Sequence, residues 1–136
     1  PAPGDHPMRL IDYGLGEVLD RLSILALKIS YAGDAGKPVD HFTRERAKLL
    51  VQATTRVSGR VFECYAELAV VNARLWQSED ALRELRRTSG SGADWPTVGQ
   101  LAFEIQALND RRAALVAEIT RVTGDETAGA EKVHAE

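Results

Sequence analysis

The sequence predicts an all-α fold, a small bundle of three to four amphipathic helices. Three observations predict it. Apolar residues recur at helical steps along most of the chain, and no segment alternates at the period of a strand. Alanine, leucine and arginine are plentiful while aromatic residues make up only 6%, a balance that suits helices better than sheets. With 136 residues, 44% of them hydrophobic, the chain is long enough to bury one core and too short for two domains.

The first helix is expected from Leu15 to Tyr31. Val18, Leu22, Leu25 and Ile29 step by four, three and four, and Leu15, Leu19 and Ala26 widen that stripe. Ile24, Leu27 and Tyr31 fall nearly opposite it. A helix apolar on two sides sits at the centre of its bundle or between two subunits, so a homodimer through this helix is expected. Glu17 and Arg21 form an i,i+4 pair on its polar edge. The run from Gly33 to Pro38 then breaks the helix.

A second helix begins between Val39 and Thr43 and extends to Arg87, kinked or broken near Ser58-Gly59, where glycine costs about 1 kcal/mol against alanine. Its later half carries the seam Val61, Tyr65, Leu68, Leu75 and Leu82. Thr88 to Gly92 reads as a flexible loop. A third helix starts after Trp95-Pro96, with Thr97 as its cap, and runs to Thr123. Its seam is Leu101, Ile105, Leu108, Arg112, Leu115, Ile119 and Val122, and Gly124 ends it. Residues 1–13 read as a leader or expression remnant, with Met8 a candidate native start. Residues 14–123 read as the bundle domain and 124–136 as a C-terminal tail.

Composition narrows the function classes. A net charge of -3 gives no nucleic-acid footprint. No apolar run approaches the roughly 18 residues of a membrane span, and the start does not resemble a signal peptide. The single Cys64 excludes an internal disulfide and a cysteine-rich zinc site, so a cytoplasmic location is expected. On a helix beside Phe62 and Tyr65, Cys64 reads as a packed thiol rather than a nucleophile. His6, His41 and His134 show no metal spacing. The acidic Glu63, Glu67 and Asp80 lack the Glu-x-x-His elements of di-iron bundles. No metal and no cofactor are expected. The basic cluster Arg83, Arg86 and Arg87 answers the dipole at a helix end. Gly14-Leu15-Gly16 has neither the preceding strand nor the third glycine of a dinucleotide loop.

The chemistry lies where polar residues interrupt the apolar seams. Asp20 sits among Ile24, Leu27 and Tyr31, Asn72 and Glu79 lie between Leu68, Leu75 and Leu82, and Arg112 divides Leu108 from Leu115. Buried charges are costly unless paired and hydrogen-bonded, so these residues are expected to meet. One reading is a polar pocket for an anionic small metabolite. In it Arg112 grips a carboxylate or phosphate, and Asp20 or Glu79 acts as a catalytic acid or base. Asn72 and Asn109 then orient the ligand, and Trp76 and Glu17 complete the lining. The other reading is a salt-bridge network that sets helix register in a non-catalytic homodimeric assembly module.

Three blocks, Gly16-Glu17-Val18-Leu19-Asp20-Arg21-Leu22-Ser23-Ile24-Leu25, Val71-Asn72-Ala73-Arg74-Leu75-Trp76-Gln77-Ser78-Glu79-Asp80 and Leu108-Asn109-Asp110-Arg111-Arg112-Ala113, together resemble an uncharacterised bacterial helical domain family. The closing Glu131-Lys132 is similar to its tail, and the likeness spans about residues 14 to 134. It implies a helical fold and a motif made of Glu17, Asp20, Asn72, Trp76, Glu79, Asp80, Asn109, Asp110 and Arg112, with no activity attached. The loop before the second helix, and that helix's start, depart from the pattern. A fainter likeness, Gly36-Lys37-Pro38-Val39 followed by Arg44-Glu45, is to the second-helix entry of the all-helical chorismate mutases. It serves as an analogy to small helical enzymes with arginine-lined pockets.

Overall fold

The computed structural model describes residues 13–89, 92 and 94–124. Four helices follow in order: α1 (Leu15–Asp34), α2 (Asp40–Ala53), α3 (Gly59–Thr88) and α4 (Trp95–Thr123). The described residues contain no strand, so the fold class is all-α. Residues 1–12 of the expected leader, residues 125–136 of the expected tail, His6, His134 and Glu131-Lys132 lie outside the described residues, as does part of the loop after Thr88. Tyr13, expected in the leader, packs against the core.

Local chemistry sets each boundary. The break expected near Ser58-Gly59 is a full interruption from Thr54 to Ser58, which divides the second helix into α2 and α3. Ser58 caps α3 by accepting from the Val61 N–H at 3.3 Å, so the serine starts a helix rather than bending one. α1 runs three residues past Tyr31 and closes in a Schellman turn. There Lys37 N–H bonds Ala32 O at 2.8 Å, Gly36 N–H bonds Gly33 O at 3.0 Å, and Gly36 holds φ +70°. Only glycine adopts that backbone at little cost. At the start of α4 the cap is Asp94 and not Thr97. The Asp94 carboxylate accepts from the Thr97 N–H at 3.2 Å and from its hydroxyl at 2.6 Å. Gly124, at φ +75°, ends α4.

The helices pack around α1, which touches α2, α3 and α4, while α3 and α4 pair with each other. The α3–α4 pairing is antiparallel, as two cross-helix ion pairs show: Arg60 to Glu118 at 3.7 Å, and Arg111 Nε to Glu67 at 2.9 Å. Leu15, Val18, Val61, Cys64, Leu68 and Ile119 are fully buried where α1, α3 and α4 meet. Burying an aliphatic side chain contributes about 1.5–3 kcal/mol, so this junction holds the fold. α1 approaches α4 closely because residue 16 is glycine. A Cβ built there would stand 2.5 Å from the Val116 carbonyl oxygen.

α1 packs against all three other helices. One face enters the core, and on the other Ile24 and Leu27 are partly covered while Tyr31 stacks on Trp76. Cys64 is a buried thiol, as its neighbours suggested. No described helix is long and apolar enough to cross a membrane.

Candidate functional site

Asp20, Asn72 and Arg112 come from three helices and meet. The register of α1 places Asp20 one turn beyond Gly16, so the close approach to α4 at Gly16 leads Asp20 directly to Arg112. Asp20 is 8% exposed. Arg112 Nε donates to Asp20 Oδ1 at 2.9 Å and to Oδ2 at 3.1 Å, and Nη2 donates to Oδ2 at 2.5 Å. This fork-on-carboxylate geometry is the strong form of a charge-assisted bond. Asn72, in the core of α3, donates its amide to Asp20 Oδ1 at 2.9 Å and to Ser23 Oγ at 2.6 Å. The Ser23 hydroxyl in turn donates to the Asp20 backbone carbonyl at 2.8 Å.

The network therefore has four members, and Ser23 is the one the sequence did not reveal. Its signal was faint: a serine one turn from Asp20 on the same buried face. Ser residues inside helices are usually satisfied by back-bonding to the preceding turn, which hides them from pattern reading. The Asp20 hydrogen bond is the largest cause raising the Arg112 pKa, burial opposes it, and the charges of Asp20 and Glu79 add to it. Arg112 stays cationic at every accessible pH.

The other candidates divide. Glu79 is exposed and reaches the cluster only as a charge felt by Arg112. It is not a member of the buried network. Asn109 is exposed but borders a groove of about 470 Å3 whose other lining includes Asp20, Arg112 and Val116. Glu17 accepts from Arg21 at 3.2 Å, the expected i,i+4 pair. Trp76 stacks on Tyr31, with ring centroids 5.2 Å apart and planes 5° from parallel, one turn beyond Asn72. Among the weaker candidates, Glu63 pairs with Arg60 and Glu67 with Arg111, while Arg83 and Arg87 pair with Asp80 and Glu84 three residues earlier. No three His, Cys, Asp or Glu among the described residues gather where a metal could bind.

The buried network opens on one side into a cleft of about 290 Å3, lined by Glu17, Asp20, Arg21, Ile24, Lys28 and Arg112, with Leu25 and with Glu45 of α2. Its floor is the Asp20–Arg112 pair. The Arg112 side chain remains 34% exposed, and its Nη1 makes no hydrogen bond among the described residues. Glu17 is engaged with Arg21, and Asp20 with Arg112 and Asn72. Lys28 of α1 and Glu45 of α2 add one further charge of each sign to the lining. Comparison with known proteins adds no family to this geometry: no family model matches the chain, and no curated protein or solved structure matches it.

Proposed function

We propose that this chain is a small helical ligand-binding domain whose site is the charged cleft above the Asp20–Arg112 pair. One observation carries the reading. Arg112 is clamped on two of its nitrogens by a buried carboxylate, and its side chain, still one-third exposed, lines a cavity that Lys28 also lines. A guanidinium so fixed has lost its rotational freedom before any ligand arrives, which favours binding of a small acid. The anionic group would meet Arg112 Nη1 and Lys28, and Glu45 across the cleft would accept from a hydroxyl or amine on the same molecule. Of the nine motif residues, Glu17, Asp20 and Arg112 line this cleft and Asn72 bonds to Asp20 beside it, which supports the same place. A cytoplasmic setting fits the single buried cysteine.

The role assigned is binding, not acid–base chemistry. Both Asp20 oxygens already accept from Arg112 and Asn72, which makes this carboxylate a positioning group, and Glu79 stands outside the network.

A second reading rests on a different feature of the same cluster. Asn72, Asp20, Ser23 and Arg112 satisfy one another across three helices, as a register lock in an assembly module would. Arg112→Met separates the two. Under the binding reading, some member of a panel of small carboxylates, phosphates and amino acids raises the melting temperature of the unmodified chain and not that of the folded variant. If no compound does so, and the variant differs only in stability or in oligomeric state by sedimentation, the lock reading stands and the cleft is not a site.

A further inference from the structure

We propose that a second groove, beside the charged cleft and sharing only Lys28 with it, binds a flat aromatic anion: one ring carrying one carboxylate or phosphate group. The groove has a volume of about 270 Å3 and is lined by Tyr31, Trp76, Phe42, Lys28 and Lys37, with Ala32 and Ala35 at its base. Its walls are three aromatic rings from three helices. Tyr31 and Trp76 are stacked nearly parallel, and Lys28 Nζ stands 5.6 Å from the centre of the Phe42 ring.

Charge chooses the occupant. The two charged residues of the lining are both lysines, and no carboxylate joins them. Lys37 is brought there by the Schellman turn, whose N–H groups from Gly36 and Lys37 also occupy the carbonyls of Gly33 and Ala32. Two of the carbonyls that would repel an anion at the C-terminal end of α1 are thereby satisfied. Flat apolar walls with a few convergent polar groups are the usual make-up of a small-molecule site. The volume lies just under the range of about 300–1,000 Å3 typical of drug-sized ligands, which limits the guest to roughly one ring and its acid group. An aliphatic acid would leave the ring walls poorly matched, and a neutral ring would gain nothing from the two ammonium groups.

Trp76 reports on the groove directly. The chain has two tryptophans, so Trp95→Phe leaves Trp76 as the sole indole, and the exposed position of Trp95 makes that change benign. Titrating this otherwise full chain with benzoate and with phenyl phosphate is expected to give a saturable change in Trp76 fluorescence that weakens as salt is added. Benzamide, which lacks the charge, and cyclohexanecarboxylate, which lacks the flat ring, should bind about tenfold more weakly or worse. Lys37→Met should weaken the aromatic anion by a similar factor, and Lys37→Arg should restore it. Lys37 is exposed, so these variants keep the fold. Arg112→Met, with the fold checked by circular dichroism, should leave binding within about twofold. Benzamide binding as well as benzoate, indifference to Lys37→Met, or no saturable signal from either anion would overturn the proposal. Loss of binding in a folded Arg112→Met chain would overturn it too, by placing the anion in the charged cleft instead. The charged-cleft reading survives failure of this groove, since neither needs the other.

Discussion

At the residue scale the decisive fact is that one carboxylate serves two partners. Asp20 holds Arg112 in a fork and takes the Asn72 amide as well, so removing it strips the part-buried Arg112 of its carboxylate and leaves the Asn72 amide with Ser23 Oγ alone. Breaking a fully buried pair costs about 3–5 kcal/mol. With Arg112 one-third open to solvent, Asp20→Ala is expected to cost about 2–3 kcal/mol in chemical denaturation, and a loss below half of the lower figure would mean that the network is not buried in solution. Asp94 behaves differently because it lies on the surface. The Thr97 hydroxyl and then the Thr97 N–H hold its carboxyl below the usual value. A carboxyl lowered in the folded state stabilises fully above its unfolded pKa, and that contribution is lost as pH falls through the folded value. Protection of the amides in the first turn of α4, taken relative to their intrinsic exchange rates at each pH, should therefore fall once the pH drops below the carboxylate range, and Asp94→Asn should flatten that response. Seams interrupted by Asp20, Asn72 and Arg112 were legible because a charge in an apolar stripe is an anomaly. Ser23 was not, because its hydroxyl is at home in any helix, and Glu79 misled because an interrupted seam does not reveal that α3 turns that position outward.

Among the elements, α1 depends on a contact that only glycine permits. Gly16 lies against the α4 backbone, and a methyl group there would stand 2.5 Å from the Val116 carbonyl oxygen, with Thr120 Oγ1 and Val116 Cγ1 at 3.0 Å. Gly16→Ala is therefore expected to cost about 1–3 kcal/mol through overpacking and to loosen the Asp20–Arg112 geometry one turn away. Denaturation of this variant, compared with Gly99→Ala, where nothing lies within 4 Å, checks the cause. If both changes behave alike, close packing is not the reason. Helix existence was readable from periodicity, and the ends marked by Gly124 and by the break before Gly59 were readable from turn chemistry. The boundaries read less well. α1 continues past Tyr31 because the turn that stops it needs Gly36, and Thr97 looked like a cap because a threonine before an apolar run imitates one while Asp94 does the capping.

In the whole molecule, stability is concentrated at one junction and thins away from it. Leu68, fully buried there, should lose about 2–5 kcal/mol on conversion to alanine, whereas Phe103, 75% exposed on α4, should lose little on conversion to serine. Thermal unfolding of the two variants reads the contrast directly, and equal losses would place the core elsewhere. By itself the sequence determined the all-α class, the helical segments and the polar residues out of place in their seams, because periodicity and the cost of a buried charge are local facts that need no partner. Which of those residues meet, that α1 lies centrally within this chain, and that lysines and aromatic rings from separate helices share a groove were decided only by the tertiary structure. Each depends on the angle and register at which helices distant in sequence cross, and these are set by packing at positions such as Gly16 that carry no side chain to announce them.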